Sequence, residues 1–300
     1  MSYHNPVLLK ESVDALEIKS DGVYVDVTFG GGGHSREILS RLGENGKLFA
    51  FDQDPDAHEN ALDDERFTLI PQNFRYIQRF LRFYGAKKVD GVLGDFGVSS
   101  HQFDQAERGF STRFNAQLDM RMDQKAEVSA SHIINKYSQE DLANLLFQYG
   151  ELRNGRAMAK VIVEARVDNK IETSFELKEV LASFLPKAKE HKILAQIFQA
   201  LRIEVNQELE VLKEFLTQIP DVLTEDGRLS VISYHSLEDR LVKRFIQKGM
   251  FEGEPEKDFY GNFSVPMEKV GGLIVPTKEE IKINNRARSA KLRIAKLKNG

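Results

Sequence analysis

The chain has no cysteine and no tryptophan among its 300 residues. It therefore has no disulfide framework and no thiolate metal site, which suits a reducing compartment. It also lacks any run near the roughly 20 apolar residues that a membrane helix needs. The opening segment, Met1-Ser2-Tyr3-His4-Asn5-Pro6, carries no apolar signal core. These absences lead to the expectation of a cytoplasmic protein. The seven histidines show no metal-ligand spacing, so no metal is expected. Acid is missing from one stretch in particular. Ile281 to Gly300 holds Lys282, Arg286, Arg288, Lys291, Arg293, Lys296 and Lys298 and no Asp or Glu, a local +7 in a chain whose net charge is −4. Such a segment either contacts a polyanion, gaining affinity from released counterions, or is a solvated basic tail.

With 41% hydrophobic and 29% charged residues the chain reads as an ordinary globular protein, long enough for two modest domains. Its most informative local feature is the glycine run Gly30 to Gly33. The run lies between an apolar stretch, Val23-Tyr24-Val25-Asp26-Val27, and a helical pattern that opens at Ser35 and carries Ile38, Leu39 and Leu42. A strand, a glycine loop and a helix in that order make a candidate cofactor cradle, because glycine lets backbone N–H groups approach a ligand, the alternative being a tight turn with no ligand. Asp26 separates this loop from a dinucleotide site, since a carboxylate beside the glycines would repel a pyrophosphate. It favours a zwitterionic or cationic ligand, and S-adenosylmethionine has the required ammonium, carboxylate and sulfonium.

Further strand patterns follow. Lys47-Leu48-Phe49-Ala50-Phe51 ends in Asp52, 20 residues after Gly32, where an acid accepts both ribose hydroxyls of an adenosine. That spacing serves a nicotinamide cofactor equally well. Phe67-Thr68-Leu69-Ile70 leads to Phe74, an aromatic within reach of adenine, and Val89-Asp90-Gly91-Val92-Leu93 leads to Asp95. In open parallel sheets ligands gather beyond the carboxyl ends of the strands, so Asp26, Asp52, Phe74 and Asp95 should meet in one crevice. After about Asp104 the alternation gives way to helical periodicity. Capping spacings occur at Ser138 with Asp141 and at Thr173 with Glu176. One long helix then carries Ile193, Ile197, Leu201, Val205, Leu209 and Leu212 and is expected to end at Pro220. The sheet pattern resumes at Leu229 to Tyr234, with Ser236 starting a helix. Gly253 to Pro276 reads as a loop with a short hairpin, and Ala290 to Ala295 as a last strand. The expected organisation is an α/β domain, residues 1–105 and 216–300, interrupted by a helical insertion, residues 106–215.

Longer blocks are more specific. Asp26-Val27-Thr28-Phe29-Gly30-Gly31-Gly32-Gly33-His34-Ser35, Gly97-Val98-Ser99-Ser100 with Gln102, Arg108-Gly109-Phe110-Ser111, Leu118-Asp119-Met120-Arg121-Met122-Asp123, His235-Ser236-Leu237-Glu238-Asp239-Arg240 and Arg286-Ala287-Arg288-Ser289 occur in this order. Together they resemble the RsmH (MraW) methyltransferases, nearly end to end. The resemblance implies a Rossmann-like class I S-adenosylmethionine-dependent methyltransferase domain interrupted by a helical domain that recognises substrate. It implies transfer of a methyl group to the exocyclic N4 of a cytosine in the decoding region of bacterial 16S rRNA, within the small ribosomal subunit. Carried over residue by residue, it assigns cofactor binding to Gly32, Gly33, His34, Asp52, Phe74, Asp95 and Gln102, and leaves monomer and homodimer open. Asp95 is also the candidate acceptor for an N4 proton. Phe96, His101 and Tyr234 depart from the usual leucine, proline and phenylalanine. Lys192 to Phe198 lacks the usual His-Pro-Ala start and has Gln196 in place of arginine. The competing readings are a non-catalytic RNA-binding assembly factor that keeps a cofactor pocket, and a nicotinamide-dependent oxidoreductase.

Overall fold

The computed structural model describes residues 6–98, 100–261 and 263–298. Met1 to Asn5 of the opening segment, Ser99 of the Gly97 to Ser100 block and the last two residues of the basic segment lie outside the described residues. The chain forms two compact units, Met1–Gly97 with Leu209–Gly300, and Val98–Glu208.

The first unit is built on β1 (Val23–Asp26), β2 (Lys47–Phe51), β3 (Phe67–Ile70), β4 (Val89–Asp95), β5 (Leu223–Ser233), β6 (Met267–Ile274) and β7 (Lys291–Leu297), in the sheet order β3-β2-β1-β4-β5-β7-β6. Strands β1 to β5 are parallel, and β7 runs antiparallel between β5 and β6. The chain winds outward from β1 through β2 to β3 and returns to β4 on the other side of β1, which opens a crevice at their carboxyl ends. Both faces are covered, so these strands are almost continuously apolar. Tyr24, Leu48 and Leu93 face one layer and pack with Val13, Ile38 and Leu39. Val25, Phe49, Phe51 and Val92 face the other and pack with Ile77, Leu81, Phe215, Ile219 and Phe245. Full burial of such a side chain contributes about 1.5–3 kcal/mol. The α/β expectation is met, and among the described residues no helix is long and apolar enough to cross a membrane.

Five expectations change. The single long helix is two, Glu190–Asn206 and Glu208–Val222, broken at Gln207, whose φ of 51° is left-handed. Pro220 does not end the second helix but sits inside its last turn. That second helix carries Phe215 and Ile219 into the α/β core, so the units part at 97/98 and 208/209 and not at 105/106 and 215/216. The segment read as a loop with a short hairpin instead contains the single strand β6, paired with β7, whose alternation is obscured because its outer residues are exposed and its register shifts between Val270 and Ile274. Finally, the basic segment is no tail. Lys291, Arg293 and Lys296 lie on β7 inside the sheet. Asp239 takes hydrogen bonds from Arg293 Nε at 2.6 Å and Lys291 Nζ at 3.3 Å, and Lys296 Nζ lies 3.4 Å from Glu268. Burial works against ionisation of Asp239, but the bonds from Arg293 and Lys291 prevail and hold its carboxyl below the usual range.

The second unit has its own core, which includes Leu118, Met120, Ile133, Leu142, Leu145, Met158, Ile162, Leu177, Ile197 and Leu201. Thr173 and Glu176 close a full capping box, whereas Ser138 accepts from the Asp141 N–H without the return bond, an aspartate being a methylene shorter. Two of the long sequence blocks meet here. Arg108 is buried, and its guanidinium donates to the carbonyls of Arg121 and Met122. Asn206 brackets the same loop, accepting from Met122 N–H and donating to the Met120 carbonyl. Gln196, where arginine is usual, donates to the Gly150 carbonyl at 2.8 Å.

Candidate cofactor site and active centre

Four carboxyl strand ends deliver the site. After β1 the chain turns through Gly30 and Gly32, both at positive φ (50° and 74°), and enters the helix Gly33–Arg41. Gly32 is the N-cap and supplies no side-chain cap, so the first helical N–H groups are left to a ligand. A side chain at Gly33 would come within 2.2 Å of Pro6. Asp26, at the end of β1, is buried and faces inward. Its Oδ2 accepts from Ser35 Oγ at 2.7 Å and its Oδ1 from Thr28 N–H at 3.0 Å. Burial pushes its pKa up against those bonds. Asp26 therefore fixes the loop and does not itself face a ligand, a correction to the sequence reading.

Asp52, beyond β2, accepts from Gly30 N–H at 2.8 Å and from Asp54 N–H at 2.9 Å. Burial raises its pKa to about 6 against these two bonds. The acid is thus tied to the glycine loop and keeps lone pairs for hydroxyl donors. Phe74 follows β3 in a short 3₁₀ turn, Phe74–Tyr76, capped by Asn73. Its ring lies 5.4 Å from both Phe96 and Phe215, in tilted and edge-on contacts respectively. Phe96, the departure from leucine, is thereby explained as one wall of an aromatic cluster under Phe74.

Asp95 ends β4, and its backbone N–H donates to Thr28 Oγ1 at 2.7 Å. Its Oδ1 accepts from the Tyr234 hydroxyl at 2.8 Å, while Oδ2 lies 4.0 Å from His34 Nδ1. His34 Nε2 is 3.3 Å from the Val7 carbonyl, which assigns its proton to Nε2 and leaves a lone pair on Nδ1. Burial holds the His34 pKa below its ordinary value, so the ring is neutral. Burial also lifts Asp95 to about 6, against the hydrogen bond from Tyr234. Two acceptors, Nδ1 and Oδ2, thus face one another at a spacing that a bridging N–H donor satisfies, and an ammonium is the best such donor.

Tyr234 was absent from the candidate set, and it is the residue sequence reasoning most clearly missed. It follows β5 directly, and its position at a carboxyl strand end was the available signal. Gly97, at φ 130°, leaves room for the Tyr234 ring, and a side chain there would approach it to 3.0 Å. Buried Glu238 accepts from Tyr234 N–H at 3.0 Å and completes a capping box with His235. The first unit therefore brings together Gly32, Gly33, His34, Asp52, Phe74 and Asp95. Gln102 lies in the second unit, on the helix Ser100–Asp104, where its side chain is buried.

The donor set fits S-adenosylmethionine: a hydroxyl acceptor in Asp52, an aromatic in Phe74, uncapped helix N–H groups for a carboxylate, and the Asp95–His34 acceptor pair for an ammonium. A model of the MraW methylase family matches residues 1–298. Ribosomal RNA small subunit methyltransferase H of Christiangramia forsetii is 68% identical over 296 residues, covering 99% of this chain and 98% of that protein. The protein of that name in Flavobacterium johnsoniae is 68% identical over 295 residues, 98% of each chain. The one in Bacteroides fragilis is 55% identical over 298 residues, covering 99% of this chain and 98% of its own. The chain belongs to the MraW methylase family and is an S-adenosylmethionine-dependent methyltransferase.

Proposed function

We propose that this enzyme methylates the exocyclic N4 of a cytosine in the decoding region of bacterial 16S rRNA, acting in the cytoplasm on the small ribosomal subunit. The observation that carries the reading is Asp95, held at a carboxyl strand end between Tyr234 and His34. It is supported by the relatives named for small-subunit rRNA methylation.

The cofactor supplies an electrophilic methyl on a sulfonium. The residues proposed to hold it are Gly32, Gly33, His34, Asp52, Phe74, Asp95 and Gln102. A cytosine amine is a poor nucleophile because its lone pair is delocalised into the ring, so positioning carries most of the catalysis. Asp95, the proposed catalytic residue, accepts an N4–H hydrogen bond and thereby stabilises positive charge developing on nitrogen. Its carboxylate has lone pairs beyond those used by Tyr234. The target base leaves its stack to reach the methyl, as base-modifying enzymes require. The helical unit, Val98–Glu208, is assigned to substrate recognition.

Transfer of labelled methyl from S-adenosylmethionine to undermethylated 30S particles tests this. The expected product is one N4-methylated cytosine, lost in Asp95→Ala. Cofactor binding without transfer to rRNA favours the assembly-factor reading instead.

A further inference from the structure

Resting on the rRNA-substrate reading, a second RNA contact emerges on the methyltransferase unit. With Lys291, Arg293 and Lys296 turned toward acids inside the sheet, the basic segment offers fewer free cations than its composition suggests. A different stretch does offer them. From Arg66 to Val89 there is no acid, while Arg75, Arg79, Arg82, Lys87 and Lys88 supply cations from Arg75 onward. Arg75, Arg79 and Arg82 recur at spacings of four and three, which puts them on one face of the 3₁₀ turn and the helix Ile77–Phe83.

That face borders a groove of about 680 Å³, which Lys213 and Thr217 of the helix Glu208–Val222 and Phe251 also line. Arg75 is held in place by a two-pronged bond to Glu214. Arg79 and Arg82 are exposed and make no ion pair among the described residues. Aromatics stand beside the cations and are open to solvent: Tyr76 lines the groove, and Phe83, 78% exposed, follows Arg82 with Tyr84. Cations that track a backbone, interleaved with exposed rings on which bases stack, are the physical requirements for binding single-stranded nucleic acid. A wholly apolar or basic partner would leave Arg79 and Arg82 unmatched, and an acidic partner without flat rings would leave the exposed aromatics uncovered.

We propose that this arginine-aromatic groove binds a single-stranded segment of the substrate RNA outside the active centre, Arg79 and Arg82 contacting phosphates and Tyr76 and Phe83 taking bases.

The test is fluorescence anisotropy of a short unstructured RNA on wild type and R79E/R82E, over a range of salt and without cofactor, beside methylation of 30S particles. A control, K257E/K278E, carries the same charge change at exposed lysines elsewhere. The expected result is at least about a tenfold loss of RNA affinity and a salt slope flatter by about 1.4 in R79E/R82E only, at roughly 0.7 per phosphate contact. The methylation KM should rise while kcat and calorimetric cofactor affinity hold. Should the double reversal fail to fold, R79Q/R82Q is read the same way. Equal RNA affinity and slope in wild type and variant, or an equal loss in the control, overturns the proposal. Wild-type protein that binds the RNA through Arg79 and Arg82 yet never methylates rRNA would sustain the groove and refute the rRNA-methylation reading.

Discussion

Asp52 and Asp95 carry opposite consequences for stability and function, and both follow from burial. Each has its pKa lifted from 3.8 to about 6, so the folded chain binds protons more tightly than the unfolded one. Their contribution to stability is full below about pH 4 and is lost as pH rises toward 6. Without cofactor, Asp95→Asn should therefore stabilise the protein at pH 7, on the order of 1–2 kcal/mol, while removing methyl transfer. Urea denaturation at pH 7 checks the first half, and a destabilised variant would contradict it. If Asp95 takes the catalytic role proposed for it, it must be ionised, and kcat/KM should fall below about pH 6; a flat profile down to pH 5 would argue against the assignment. Asp52→Ala should weaken S-adenosylmethionine binding roughly 10- to 100-fold, the range of a hydrogen bond to a charged group. Unchanged affinity by titration calorimetry would remove Asp52 from the ribose.

At the level of elements, the site depends on how loops and helix starts are tied down. Asp26 grips Ser35 and Thr28, Thr28 holds the Asp95 backbone, and Glu238 caps the segment that aims Tyr234 at Asp95. Glu238→Ala leaves the N–H groups of Tyr234 and His235 without their shared acceptor. It should cost about 1–2 kcal/mol, read as a lower urea midpoint, and should reduce kcat more than cofactor affinity. Equal loss in both would mean that Tyr234 does not act through Asp95. The parallel strands and the glycine loop were legible because burial on both faces and the demand for positive φ constrain residue type directly. Tyr234 was less so, since its place at a strand end puts it near the crevice but does not show its partner, 139 residues away. Asp26 was misjudged for the same reason: its charge was visible, but Ser35 and Thr28 closing over it were not.

For the molecule as a whole, the boundary between units and the distribution of charge were the features hardest to read. Periodicity runs almost unbroken from Ile193 to Leu212, and only the backbone reversal at Gln207 divides the helix between two cores. Likewise, seven cations without an acid suggest a tail, yet Asp239 and Glu268, distant in sequence, draw three of them onto the sheet. Arg293→Glu should accordingly lower global stability by setting like charges beside Asp239, seen as a reduced thermal midpoint; a merely RNA-contacting arginine would leave the midpoint unmoved. The central claim concerns the acceptor of the methyl group, and the most direct measurement maps methylated cytosines in 16S rRNA from cells with the gene, without it, and with it restored. One N4-methylated cytosine in the decoding region should vanish without the gene and return with the wild-type protein, whereas an unchanged methylation pattern would contradict the account.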